Sequence, residues 1–238
     1  MQIPIILIIL QWPWMASIQI NSNRLGLGFR HVCGGSVIEK RLVLTAAHCA
    51  KNLLRTRHPM RIVFGTSDLR SNSPYRTERN ITDISIHPSY QAGQSYYDVA
   101  LLILDKELVL NDGIKKIRLP QEATFDGSHR SGHLATLTGW GASEPGGAPS
   151  PELRQATMMI FHDQYCNSSR SIVNDQGIVE STSSLLPKLF TSSVFCAGLS
   201  LSGNQSIDNF LEYQFSSFRI PWRNKWSYLC RRFWKSFS

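Results

Sequence analysis

The chain has 238 residues, 42% of them apolar, and a net charge of +8, which fits one large globular domain or two small ones with a core. Its 25 Lys and Arg are scattered through the sequence rather than gathered on one motif. The positive charge is therefore no sign of a nucleic-acid partner, for no groove-reading module is visible.

The first eleven residues hold an apolar run, residues 3–10, too short to span a bilayer and near the length of a signal-peptide core, with no basic residue before it. Residues 1–11 read as a remnant of a signal peptide or as a truncated start. Ala16 and Ser17 are small enough for a cleavage site, although a cut there would remove the opening of the first domain. No stable membrane span is expected.

Short apolar runs then follow at 16–20, 35–38, 42–47, 60–64, 81–86, 99–104 and 134–138, several of them alternating or β-branched. Stretches of helical period are scarce, so the pattern predicts an all-β sandwich or barrel. Turn signals separate the runs, as at Asn72-Ser73-Pro74, His87-Pro88-Ser89 and Glu144-Pro145-Gly146-Gly147. Two short helical pieces are expected, one after Thr45-Ala46-Ala47-His48 and one near 162–166. Residues 113–132, broken by Pro120, Gly127 and Gly132, read as a linker between two halves, and the Ser- and Asn-rich residues 168–193 as a surface insertion. No fixed-period repeat is present, which argues against a propeller or solenoid.

Two residues stand out chemically. His48 lies beside Cys49 at the end of a hairpin-like stretch that begins near Cys33, and a bridge between the two cysteines would hold the imidazole firmly enough to act as a general base. The alternative is a structural histidine at a strand end. Asp98 precedes the apolar run at 99–104, where an unpaired carboxylate is costly. It reads either as the partner that fixes the His48 tautomer or as a strand-capping aspartate. Three sequons, at Asn80, Asn167 and Asn204, are compatible with the secretory pathway, whereas five cysteines, an odd number, leave one free or paired with another chain in an oxidising compartment. No metal site is expected, because His48, His58 and His87 lack ligand spacing and residues 65–78 show no carboxylate pair suited to calcium.

Taken in order, WPWMASIQI, CGGSVIEKRLVLTAAHC, YYDVALLIL, LTGWG and FCAG resemble the trypsin/chymotrypsin-like serine endopeptidases across residues 12–198. The resemblance implies two six-stranded Greek-key β-barrels with the active site between them: barrel one at about 12–115 and barrel two from about 130, within a peptidase domain spanning 12–200. It implies His48 as general base, Asp98 as the residue that orients it, bridges Cys33–Cys49 and Cys166–Cys196, protein or peptide substrates, a secreted location and no cofactor.

The pattern then breaks. The family carries a Gly-Asp-Ser-Gly-Gly segment about a dozen residues after FCAG, supplying the nucleophile and oxyanion hole. Here Ser202-Gly203 and Ser206 lie in no such frame. Residues 209–238 instead form an aromatic tail with six Lys or Arg against one Glu. The tail, assigned to a divergent segment 201–238, reads as a membrane- or RNA-binding patch or as an altered reading frame, retained intron or alternative exon. Thr136 falls near a position where many relatives carry a cysteine, and Cys230 is left as the unpaired fifth. Nor does an Ile-Val-Gly-Gly-like activation sequence precede WPWMAS. The expectations are a second barrel that is incomplete, a chain without catalysis, and, as the alternative, a secreted homologue that binds a protein partner.

Overall fold

In the computed structural model the residues described are 9–21, 28–93, 97–119, 132–143, 147–161, 171–173, 179–181 and 196–198, those from 161 onward by backbone alone. They fall in two compact units, one within Met1–Arg118 and Thr136–Ala156, the other within Leu119–Ala135 and Thr157–Leu211.

The first unit is built on seven antiparallel strands: β1 Met15–Asn21, β2 Phe29–Glu39, β3 Leu42–Thr45, β4 Met60–Phe64, β5 Thr77–Arg79, β6 Ile81–Ile86 and β7 Ala100–Leu104. A single helix, α1, Ala47–Arg55, interrupts them between β3 and β4. The strand order β5-β4-β1-β2-β3-β7-β6 contains β4-β1-β2-β3, which is the Greek-key order. The two edge strands, β5 and β6, are consecutive in the chain and separated only by Asn80. A chain that steps from one edge of a sheet to the other in one residue requires that the sheet curl on itself, so the unit is a barrel closed at Asn80. Counted as one strand bent at that residue, β5 and β6 make the six strands expected.

Alternation along β1 explains how the barrel fills. Ala16, Ile18 and Ile20 point into the core with Val37, Val43, Ile62, Phe64 and Leu102, while Met15, Ser17 and Gln19 lie on the opposite face. Each large apolar side chain fully buried there contributes about 1.5–3 kcal/mol. Gly35 is needed where β1, β2 and β3 crowd together: a Cβ on it would lie 2.7 Å from Val43 Cγ1 and 3.0 Å from the Leu44 carbonyl oxygen.

Most predicted runs become strands at or near their expected bounds. The run at 42–47 is cut short at Thr45 because Ala46 and Ala47 turn the chain into α1, which at nine residues is longer than the turn expected. The strands not foreseen are β5, β9 (Arg154–Phe161), the short pair at 171–173 and 179–181 inside the stretch read as a surface insertion, and the strand at 196–198. With β8, Leu134–Gly139, and β12, Cys196–Gly198, β9 forms a three-stranded sheet in the order β12-β9-β8. A separate pair joins β10, Ser171–Val173, to β11, Val179–Ser181. Trp140, from the LTGWG stretch assigned to the second half, is buried in the first unit against Met15 and Leu153, and its indole N–H donates to the Ser67 carbonyl at 3.0 Å. The expected helix at 162–166 and the tail lie outside the described residues.

Candidate active site

The site begins with a helix that lacks its own cap. The residue at the N-cap of α1 is Ala46, whose side chain can accept no hydrogen bond, and the first turn carries no acidic residue. Backbone N–H groups at a helix start need partners. Asp98, fifty residues further along the chain, supplies them: its Oδ1 accepts the His48 backbone N–H at 2.8 Å, and the Ala47 N–H also bonds to the carboxylate. The same carboxylate reaches the ring, with Oδ2 2.7 Å from His48 Nδ1. Asp98 therefore caps a helix and holds an imidazole at once.

Packing makes this reach possible. Small residues, Ala47 and Ala50 on α1 and Ala100 on β7, are buried together against Ile84, Ile86 and Tyr90, so the helix start lies close to the strand that Asp98 precedes. From the other side, the Cys33–Cys49 disulfide joins β2 to α1 at the residue after His48. The bridge implied by the family resemblance is thus present, and it fixes the base of the histidine from the barrel side.

Asp98 itself is positioned by neighbours that the sequence did not connect with it. Tyr97 has φ of 56°, a left-handed conformation that costs energy for a bulky residue. Its ring stacks on His87 at 4.7 Å with 13° between planes. The Val99 N–H closes back onto the Tyr97 carbonyl at 2.7 Å, and the His87 N–H donates to the Val99 carbonyl. The signal was visible in the paired tyrosines before Asp98 and in His87-Pro88-Ser89-Tyr90, but nothing local says that these two stretches meet.

The electrostatics follow from burial and bonding. Burial alone raises the Asp98 carboxyl, yet the hydrogen bonds from the His48 ring, the His48 N–H and the Ala47 N–H outweigh it and hold the group below the usual carboxylate range. Burial and the nearby Asp98 charge both push the Tyr90 hydroxyl upward. The Asp98 side chain is 9% exposed, whereas that of His48 is 37% exposed, so the carboxylate is sheltered and the imidazole faces solvent. An ionised Asp98 accepts a proton-bearing Nδ1, which leaves Nε2 as the nitrogen with a lone pair. Nε2 lies 3.4 Å from Cys49 Sγ, a disulfide sulfur with no hydrogen to give. The arrangement can accept a proton from a group brought to Nε2.

Cys33, His48 and Cys49 place three possible ligand atoms within 4.8 Å of one another, but both sulfurs are consumed in the bridge. A second histidine, His31, lies on β2 with Nδ1 2.8 Å from Ser17 Oγ. Ser17 is fully buried, so this pair cannot meet a peptide and belongs to the barrel. Asn80 is exposed at the barrel seam. Asn167, Asn204, Ser202, Ser206, Cys230 and the Cys166–Cys196 pairing lie outside the described residues, Cys196 being described in its backbone only. Among the described residues no helix is long and apolar enough to cross a membrane.

Comparison with known proteins bears on this geometry. A family model described as Trypsin matches residues 9–209. Transmembrane protease serine 5 of Homo sapiens is 37% identical over 164 residues, covering 67% of this chain and 33% of that protein. Hypodermin-A of Hypoderma lineatum is 35% identical over 159 residues, covering 66% of this chain and 55% of that protein. The chain thus spans between a third and just over half the length of these curated relatives. A solved structure described as "Structure of GrC" superposes with a TM-score of 0.59 at 21% identity, covering 79% of this chain and 71% of that one, a likeness of fold.

Proposed function

The chain belongs to the trypsin family, and from that premise we propose that it carries the general-base half of a Ser-His-Asp peptidase site without the nucleophilic half. His48 is the base and Asp98 the residue that orients it. The carrying observation is a mismatch within one sequence. The His48–Asp98 pair is assembled at 2.7 Å, whereas residues 199–238 contain no Gly-Asp-Ser-Gly-Gly. The sequence therefore offers His48 no glycine-framed serine to deprotonate and lacks the segment that supplies the family's oxyanion donors. The chain does not hydrolyse peptide bonds.

The test is hydrolysis of short peptide amides with basic, aromatic and small side chains before the scissile bond, comparing the full chain with His48→Ala. Equal rates at the buffer level are expected. Turnover that His48→Ala abolishes would overturn the proposal.

A second reading, a non-catalytic homologue that binds a protein or peptide, is supported by the first barrel. Its described core runs from Ala16 to Ile114. A secreted location is supported by the Cys33–Cys49 bridge, since such bridges persist in oxidising compartments. No cofactor or nucleic acid enters this function.

A further inference from the structure

We infer that Asn80 is the acceptor of an N-linked glycan, set at the seam where the first barrel closes, an inference that rests on the proposed passage through the secretory pathway. The motif is Asn80-Ile81-Thr82. A sequon alone is a weak sign, and the fold supplies the rest.

Asn80 is the single residue between β5 and β6, at the corner where the two edges of the sheet meet, and it is exposed. Its position is held by Asp105, just past β7. The Asn80 N–H donates to Asp105 Oδ1 at 3.2 Å, its side-chain Nδ2 donates to Asp105 Oδ2 at 3.2 Å, and the Asp105 N–H returns to the Asn80 carbonyl at 3.0 Å. A primary amide nitrogen carries two hydrogens, and this contact uses one. In the transfer, Nδ2 forms a bond to the anomeric carbon of N-acetylglucosamine, the lipid-linked diphosphate departs with the electron pair of the broken C–O bond, and the nitrogen loses one proton. One N–H remains on that nitrogen, and the two bonds between the Asn80 backbone and Asp105 do not involve it, so the corner keeps its backbone ties when the sugar is attached.

The sequon hydroxyl sets the order of events. In the folded barrel Thr82 Oγ1 donates to the Ile103 carbonyl of β7 at 3.2 Å, which commits it to the sheet. While β7 is still being synthesised that hydroxyl is free, so transfer occurs before β6 docks on β7. Once attached, the glycan stands over the junction of the two edge strands, where a polar cover opposes pairing with another chain.

The experiment translates the full chain with endoplasmic-reticulum microsomes, digests the outside with protease, and analyses the protected chains. Peptide-N-glycosidase treatment in heavy-oxygen water marks each glycosylated asparagine as a labelled aspartate. The expected result is label at residue 80, lost in Asn80→Gln and in Thr82→Ala but retained in Thr82→Ser. Protected chains bare at Asn80 would overturn this inference and leave the secretory reading standing. Chains that protease destroys entirely would overturn both.

Discussion

Lowering the pH towards 4 forces a proton onto His31, and the bonds around that ring are oriented for its neutral form. Arg61 Nε donates to Gln19 Oε1 at 3.0 Å, Gln19 Nε2 donates to Ser17 Oγ at 3.2 Å, and Ser17 Oγ lies 2.8 Å from His31 Nδ1. With each donor passing its hydrogen in the same direction, the serine hydroxyl ends on the lone pair of Nδ1. A proton on Nδ1 reverses the last bond and leaves the serine hydrogen without this acceptor. Burial, with the Trp140 ring 5.6 Å away, lowers the His31 value from 6.5 to about 4. The unfolded chain therefore binds the proton first, and stability falls as pH drops from 6.5 to about 4, levelling below that. At about 1.4 kcal/mol for each pH unit separating the two values, the loss has a ceiling of about 3.5 kcal/mol. Urea unfolding followed by tryptophan fluorescence, at a series of pH values for the native chain and for His31→Asn, isolates it. The difference between the two should shrink by up to that amount from pH 7 to 4 and then stay constant. A difference that does not change with pH would refute the reasoning.

Asp98 responds in a lower window. Its carboxyl is held below the ordinary 3.8, so its contribution is present above that value and is lost as pH falls through the depressed one. Asp98→Ala should cost about 1–3 kcal/mol by leaving backbone donors unpaired, and hydrogen exchange at the His48 and Ala47 amides should accelerate while that of the β1 amides holds. Gly35→Ala, with Val43 Cγ1 only 2.7 Å from the added Cβ, should cost about 1–3 kcal/mol by overpacking, read as a lower urea midpoint. Replacing both Cys33 and Cys49 by Ser opens a loop whose ends are 16 residues apart and should lower stability by about 3 kcal/mol, as judged by thermal unfolding against the oxidised chain.

What the sequence disclosed follows from the range of each interaction. β4 and β6 are legible because their apolar residues recur at local strand spacing, and their bounds at 60–64 and 81–86 are those of the structure. His48 and Asp98 stood out as residue types in unusual company. That Asp98 also caps α1 was hidden, because the helix start at His48 and the carboxylate that caps it are 50 residues apart. The Tyr97 conformation and its stack on His87 arise from the meeting of two loops, which no local pattern encodes. β5 escaped notice for a different reason: Thr77, Glu78 and Arg79 carry no apolar period and pair only because β4 presents them an edge. Likewise the Arg61–Gln19–Ser17–His31 chain draws its members from three strands, which no local pattern brings together.

In the function proposed above, His48 is a general base with no nucleophile to serve. This is tested most directly by treating the folded, full-length chain with a fluorophosphonate probe and mapping any adduct by mass spectrometry, with His48→Ala as control. No labelled serine is expected. A serine labelled stoichiometrically in the native chain and unlabelled in His48→Ala would contradict it, showing that a nucleophile does reach His48.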